Sequence, residues 1–154
     1  MNAFLNISLL LPLSIWIGSM IFFSFFTAPT VFRELPREVG SDFISKIFSQ
    51  YYMLGYACLS LSFASLLLKG WMEKPFPFLR VFLMVLMLGC TFYAGVKIHP
   101  QAHQLKQVMR AMEEGIEKEE KQKLFSKLHR QSVILNIVTL VSGLTVLVIS
   151  FGKK

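Results

Sequence analysis

MNAFLNISLLLPLSIWIGSMIFFSFFTAPTVF, residues 1–32, contains no charged side chain. A helix needs about 20 apolar residues to cross the hydrocarbon core of a bilayer, and one charge at mid-bilayer costs roughly 2.5–3.5 kcal/mol. This stretch is long enough to cross. Three more charge-free stretches follow, at 47–68, 81–96 and 131–152. The one at 81–96 is short, and it spans when Arg80 and Lys97 stretch their stems toward the headgroups. The runs do not alternate in polarity, which excludes barrel strands. In lipid that leaves helices, because a helix satisfies its own backbone. The fold class expected is therefore an all-α integral membrane four-helix bundle. The 154 residues leave no room for a soluble domain and form a single four-span domain. The first apolar run has no basic leader and outlasts a signal-peptide core, so it reads as a retained span.

The spans are expected at about 4–32, 43–69, 78–98 and 131–152. Pro29 should kink or end the first helix near Ala28. Ser14 and Gly18, four apart, should let a neighbouring helix come close. Arg33, Glu34, Arg37, Glu38 and Asp42 form a short charged link. Trp71, Pro75 and Pro77 mark a turn over 70–77, with Trp71 in the aromatic belt. Span three should continue past the membrane, bent at Pro100, to a turn at Glu113-Glu114-Gly115. Glu117–Lys121 and Glu119–Lys123 are favourable one-turn pairs that support the returning helix. Spans three and four thus extend as a cytoplasmic helical hairpin over about 99–130.

The net charge is +7. Basic residues at the membrane face explain it better than nucleic acid does, and no nucleic-acid partner is expected. Loops 1–2 and 3–4 hold eleven Lys and Arg, against five on the opposite side. The positive-inside rule then places both termini outside the cytoplasm, in a bacterial-type inner membrane.

Chemistry-bearing residues are few. His99 and His103 share a helix face. A turn centred near Gly115–Ile116 sets position 103 level with His129. Three imidazoles converging there can hold copper, zinc, nickel or iron. Glu34 and Glu38 lie on the same membrane face and can add a carboxylate. Cys58 and Cys90 fall at similar depth in adjacent antiparallel spans. With Met84 and Met87 they form a possible soft-ligand path, although Met and Cys at such positions also serve as packing. No span carries an ionisable residue at its centre, which speaks against proton-driven transport within one monomer. The chain has no phosphate-binding glycine loop, no Cys-x-x-Cys and no nucleophile elbow, so no catalytic residue is singled out.

Several short motifs occur in order: Trp16-Ile17-Gly18-Ser19-Met20 with Phe22-Phe23, Ala28-Pro29, Val31-Phe32-Arg33-Glu34-Leu35 and Tyr51-Tyr52. Leu128-His129-Arg130-Gln131-Ser132 and Leu135-Asn136 follow near the last span. Together they resemble the transmembrane-protein-205-like family of small four-span membrane proteins. That family is distantly similar to the copper-resistance protein CopD and to HemJ, a haem-binding oxidase. The resemblance implies a metal- or thiol-related role and singles out Trp16, Gly18, Pro29, Phe32, Glu34, His129, Ser132 and Asn136. HemJ-like haem ligation uses a histidine in the first span. No histidine precedes His99 here, which argues against haem.

The leading expectation is a membrane protein that binds or helps transport a soft or borderline metal ion. Transport through so few helices implies a homo-oligomer. The alternative is a non-catalytic accessory or scaffold subunit that docks a protein partner through the 99–130 hairpin. A haem-binding membrane oxidoreductase comes third.

Overall fold

The computed structural model describes residues 2–72, 76–113 and 115–152. Glu73, Lys74 and Pro75 of the expected 70–77 turn, Glu114 of the hairpin turn, and Lys153 and Lys154 lie outside them. The described chain is all-helical: α1 (Asn2–Phe22), α2 (Ala28–Glu34), α3 (Arg37–Met72), α4 (Phe78–Tyr93), α5 (His99–Arg110) and α6 (Ile116–Phe151). Single π-helical turns, Phe23–Thr27 and Ala94–Ile98, join α1 to α2 and α4 to α5. Among the described residues four continuous helices are long and apolar enough to cross a membrane: Ala3–Glu34, Arg37–Met72, Phe78–Arg110 and Ile116–Phe151. The chain is an integral membrane protein by this measure.

The prolines do not end their helices. Pro29 and Pro100 each lack the N–H that would close an α-helical bond. The chain answers one residue earlier. Ala28 N–H donates to Phe23 O and His99 N–H donates to Ala94 O, which widens the turn and lets the helix resume. The expected stop near Ala28 is therefore a bulge. Pro100 sits in the first turn of α5, so the irregularity falls before His99 and not between His99 and His103. The charged link is also shorter than its sequence suggests. Only Leu35 and Pro36 are non-helical, and α3 restarts at Arg37 with Glu38 in its first turn, where a carboxylate suits the helix dipole.

Helix neighbours form a closed ring: α1 packs on α3, α3 on α4, α4 on α6 and α6 on α1. The core runs through Leu9, Leu13, Trp16, Ile17 and Met20 of α1 and Tyr51, Tyr52, Leu59 and Leu66 of α3. Met84 and Met87 of α4, Val146 of α6, Cys58 of α3 and Ala94 of the second π-turn join them. Large apolar side chains on the outside, such as Phe22, Phe82, Ile137 and Val148, would be a liability in water and meet acyl chains in a membrane. Small residues set the closest approaches, as expected where lipid removes the hydrophobic drive between helices. The position of a Cβ on Gly55 lies 2.6 Å from the Trp16 ring, and one on Gly143 lies 2.8 Å from Ile17. Gly18 is different: nothing stands within 4 Å of its would-be Cβ, so the expected close approach at Ser14–Gly18 does not form within the bundle. Ser62 Oγ donates to Leu9 O at 2.9 Å and ties α3 to α1.

Cations at the end of the bundle that carries Met72 and Phe78 find partners inside the protein. Arg80 is buried and donates to Ile149 O at 2.9 Å, one of the last carbonyls of α6. The expected stretch of Arg80 toward the headgroups is replaced by this contact. Lys69 donates to Asn6 Oδ1.

Candidate functional site at the hairpin end of the bundle

The other end of the bundle gathers most of the polar chemistry. α5 is a continuous helix, and its one-turn repeat sets His99, His103, Lys106 and Arg110 along the side that meets α3. Asp42 on α3 is the anchor. Lys106 Nζ lies 2.7 Å from Asp42 Oδ1, and Arg110 Nη2 lies 2.9 Å from Asp42 Oδ2. Arg110 also donates to Glu38 O at 3.3 Å. Both carboxylate oxygens are thus engaged by cations. Asp42, Lys46, His103, Lys106, Gln107 and Arg110 line one cleft of about 230 Å³.

Asp42 lies just outside the apolar segment 43–69. Its hydrogen bonds to Lys106 and Arg110 lower its pKa from 3.8 to about 2. A carboxylate with a depressed folded pKa contributes stability that is fully present above 3.8 and is lost as pH falls through about 2. The contact between α5 and α3 should therefore be unchanged from neutral pH down to about pH 4 and loosen between about pH 4 and pH 2. Spin labels on the two helices measure this as a widening distance. Asp42→Asn should show the same widening already at neutral pH. Retention of the native distance in Asp42→Asn contradicts the anchoring role.

His99 is held differently. Its Nε2 lies 3.3 Å from Ser45 O, and its ring packs 5.6 Å from Phe48 and 5.8 Å from Tyr52, measured between centroids. These rings continue an aromatic cluster of Phe23, Tyr51 and Trp16. Gly95, in the second π-turn, makes room for it: a Cβ there would lie 2.9 Å from the Tyr52 ring. Ser132, on α6, is half-buried.

The three histidines do not converge. The connection between Arg110 and Ile116 centres on 113, which sets position 103 opposite 123. His129 lies nearly two turns beyond, about 9 Å further along α6, and is exposed. Among the described residues no group of three or more His, Cys, Asp or Glu side chains is arranged to hold a metal ion. Glu34 is exposed and pairs with its neighbour Arg33 at 2.8 Å; the Glu38 side chain is exposed. Cys58 and Cys90 are buried and unbridged, and Met84 and Met87 lie fully inside the core. Phe32 and Pro29 face outward, while Asn136 is half-buried. The sequence reading took Asp42 only as part of a charged link and counted the Lys and Arg of this end only as loop charges. The available signal was two one-turn repeats, Asp42/Lys46 and Lys106/Arg110, on helices that meet at this end.

The outer side of α5 meets α6. Leu105, Val108, Leu124 and Leu128, with Gln101, Gln104 and Lys121 at the rim, line a shallow groove of about 420 Å³. Val108 and Leu124 are 46% and 49% exposed.

The chain is 33% identical over 87 residues to an uncharacterized protein of Aquifex aeolicus (strain VF5). The match covers 56% of this chain and 64% of the relative, so the chain spans just under two thirds of that protein's length. No solved structure matches. A family model described as a domain of unknown function, DUF4149, matches residues 11–111, which include every residue lining the α3–α5 cleft. The chain belongs to the DUF4149 family of proteins.

Proposed function

We propose that this protein is a non-catalytic membrane subunit that docks a partner protein through the hairpin of α5 and the first part of α6. The hairpin would lie on the cytoplasmic face of a bacterial inner membrane, with both termini on the opposite side. The loop charges support that orientation, since eleven basic residues flank the hairpin end.

The observation that carries the reading is the apolar groove between α5 and α6. It lies beyond the charge-free part of both helices, where water and not lipid is the solvent. Apolar surface left in water costs about 25 cal/mol per Å². A groove between two antiparallel helices, lined by leucines one or two turns apart, suits one amphipathic helix laid into it. Lys121 at the rim favours a carboxylate on that helix. Its present bond to Glu117 is a 3.3 Å pair with Glu117 72% exposed, weak enough to exchange.

A photo-crosslinker placed at Val108 or Leu124 in cells should give one defined protein adduct. Mass spectrometry should map it to a helical segment of that partner, and Leu105→Glu should abolish it. Adducts with lipid alone, or with a second copy of this chain, contradict the reading.

Metal handling, which the transmembrane-protein-205-like resemblance implies, has less behind it. It would rest on His99 and His103, one turn apart, and His99 is already engaged with Ser45 O. Structural zinc sites take four ligands and catalytic ones three.

A further inference from the structure

We propose that the cleft between α3 and α5 is a binding site for a phosphate group, presented by an anionic lipid headgroup or by free phosphate. The cleft does not overlap the α5–α6 groove, so this inference is independent of partner docking. Lys46, Lys106 and Arg110 bring three positive charges to the lining, and Asp42 brings one negative charge. Two positive charges are left uncompensated. A phosphate monoester carries about −1.5 to −2 at neutral pH, and a lipid phosphodiester carries about −1.

Donor supply matches the charge. Arg110 uses Nη2 on Asp42 and on Glu38 O, which leaves Nε and Nη1 for another acceptor. An ammonium has three donors, and Lys106 spends one on Asp42. Lys46 has no hydrogen-bond or ion-pair partner among the described residues, and it lines the same cleft. Gln107 and His103 add further donors. Asp42 competes with an incoming anion, yet it also holds Lys106 and Arg110 against α3, so both cations are fixed in place before the anion arrives. Preorganised cations lose less entropy on binding than mobile ones do. The volume of about 230 Å³ equals several waters at about 30 Å³ each, enough for a phosphate and part of its hydration shell.

The position fits either source. Lys46 lies at the edge of the charge-free stretch 47–68, at headgroup depth, and exposed Phe43 and Val39 on the same helix offer acyl chains an apolar wall. Lys46, His103, Gln107 and Arg110 of the lining are exposed, so soluble phosphate can also reach it. Arginine and lysine at a fixed fork select phosphate geometry through several charge-assisted bonds.

The test uses the full chain purified in detergent and in nanodiscs. One arm adds inorganic phosphate and follows 31P line broadening. The other measures retention of phosphatidylglycerol against phosphatidylcholine by native mass spectrometry. Lys46→Gln removes a cation with no partner and should not disturb the fold; Lys46→Gln with Arg110→Gln removes two. The control is Lys123→Gln with Lys127→Gln, which changes net charge equally on exposed α6 positions. We expect the Lys46 and Arg110 variants to weaken binding about tenfold or more in one arm, while the control changes little. Loss in the lipid arm identifies a headgroup, and loss in the phosphate arm identifies the free ion. If the cleft and control variants behave alike in both arms, the site is overturned.

Discussion

Gly55→Leu is expected to abolish normal assembly of the bundle, while Gly18→Leu leaves its thermal stability nearly unchanged. Both glycines lie in apolar helices, so composition does not separate them; their neighbours do. A Cβ at Gly55 falls 2.6, 2.8 and 2.9 Å from three atoms of the Trp16 ring. That ring is 1% exposed and packs 4.6 Å from Tyr51, so it has nowhere to move. Overpacking of a close-packed core costs about 1–3 kcal/mol for small additions and more for a whole side chain. A Cβ at Gly18 meets nothing within 4 Å, and the residue is exposed on the outside of the bundle. Its replacement should stay within about 0.5 kcal/mol. Thermal melts of the two variants in detergent measure the difference. Equal destabilisation would mean that α1 is rotated from the orientation described, or that a second copy packs on Gly18.

Trp16→Ala is the second large effect. In a soluble core the change costs about 3–5 kcal/mol, the sum of a transfer part and a cavity part. In a bilayer the transfer part shrinks because lipid is itself apolar, but the lost dispersion contacts remain. The loss should therefore sit near the lower end of that range. Trp16→Phe should lose less than half as much. The Trp16 Nε1 is buried without a hydrogen-bond partner, so removing it breaks no bond. The two sites should also couple. In the Trp16→Ala background Gly55→Leu should cost clearly less than in the native chain, since the added side chain then fills the vacated space. Additive losses would show that Gly55 and Trp16 do not share one contact.

The spans were legible because charge is excluded from the bilayer centre, and the stretches between Arg33, Lys46, Lys69, Arg80, Lys97 and Arg130 follow directly from that rule. The continuation of span three as α5 and the start of α6 ahead of its apolar segment were legible too, since helix formers run on without a break through 101–112 and from Glu117. Finer features were not. A proline announces a lost hydrogen bond, but it does not say whether the helix stops or widens, and both Pro29 and Pro100 are answered by a π-turn. Gly18 and Gly55 are equally small; which of them meets a neighbour depends on how α1 is rotated by burying Trp16, Ile17 and Met20.

The candidate site shows the same limit. Histidines attract attention by type, yet a few residues of difference in the hairpin turn separate His129 from His103 by nearly two turns, at about 3.6 residues each. Asp42 and Lys106, 64 positions apart, meet only because the helices run antiparallel and end at the same level. No local pattern announces such a contact. Only the matching one-turn repeats of charge on α3 and α5 hint at it.

Partner docking requires the hairpin to stand in water on the cytoplasmic side, with the Trp71 end facing the other way. Single cysteines at Gln122 and Trp71 test this directly, in a chain whose buried Cys58 and Cys90 are changed to serine. Both reporter positions are exposed. A membrane-impermeant maleimide should label Trp71→Cys in intact spheroplasts, and Gln122→Cys only in inverted vesicles or after permeabilisation. Labelling of both positions from the same side, or protection of Gln122→Cys from both sides, would contradict it.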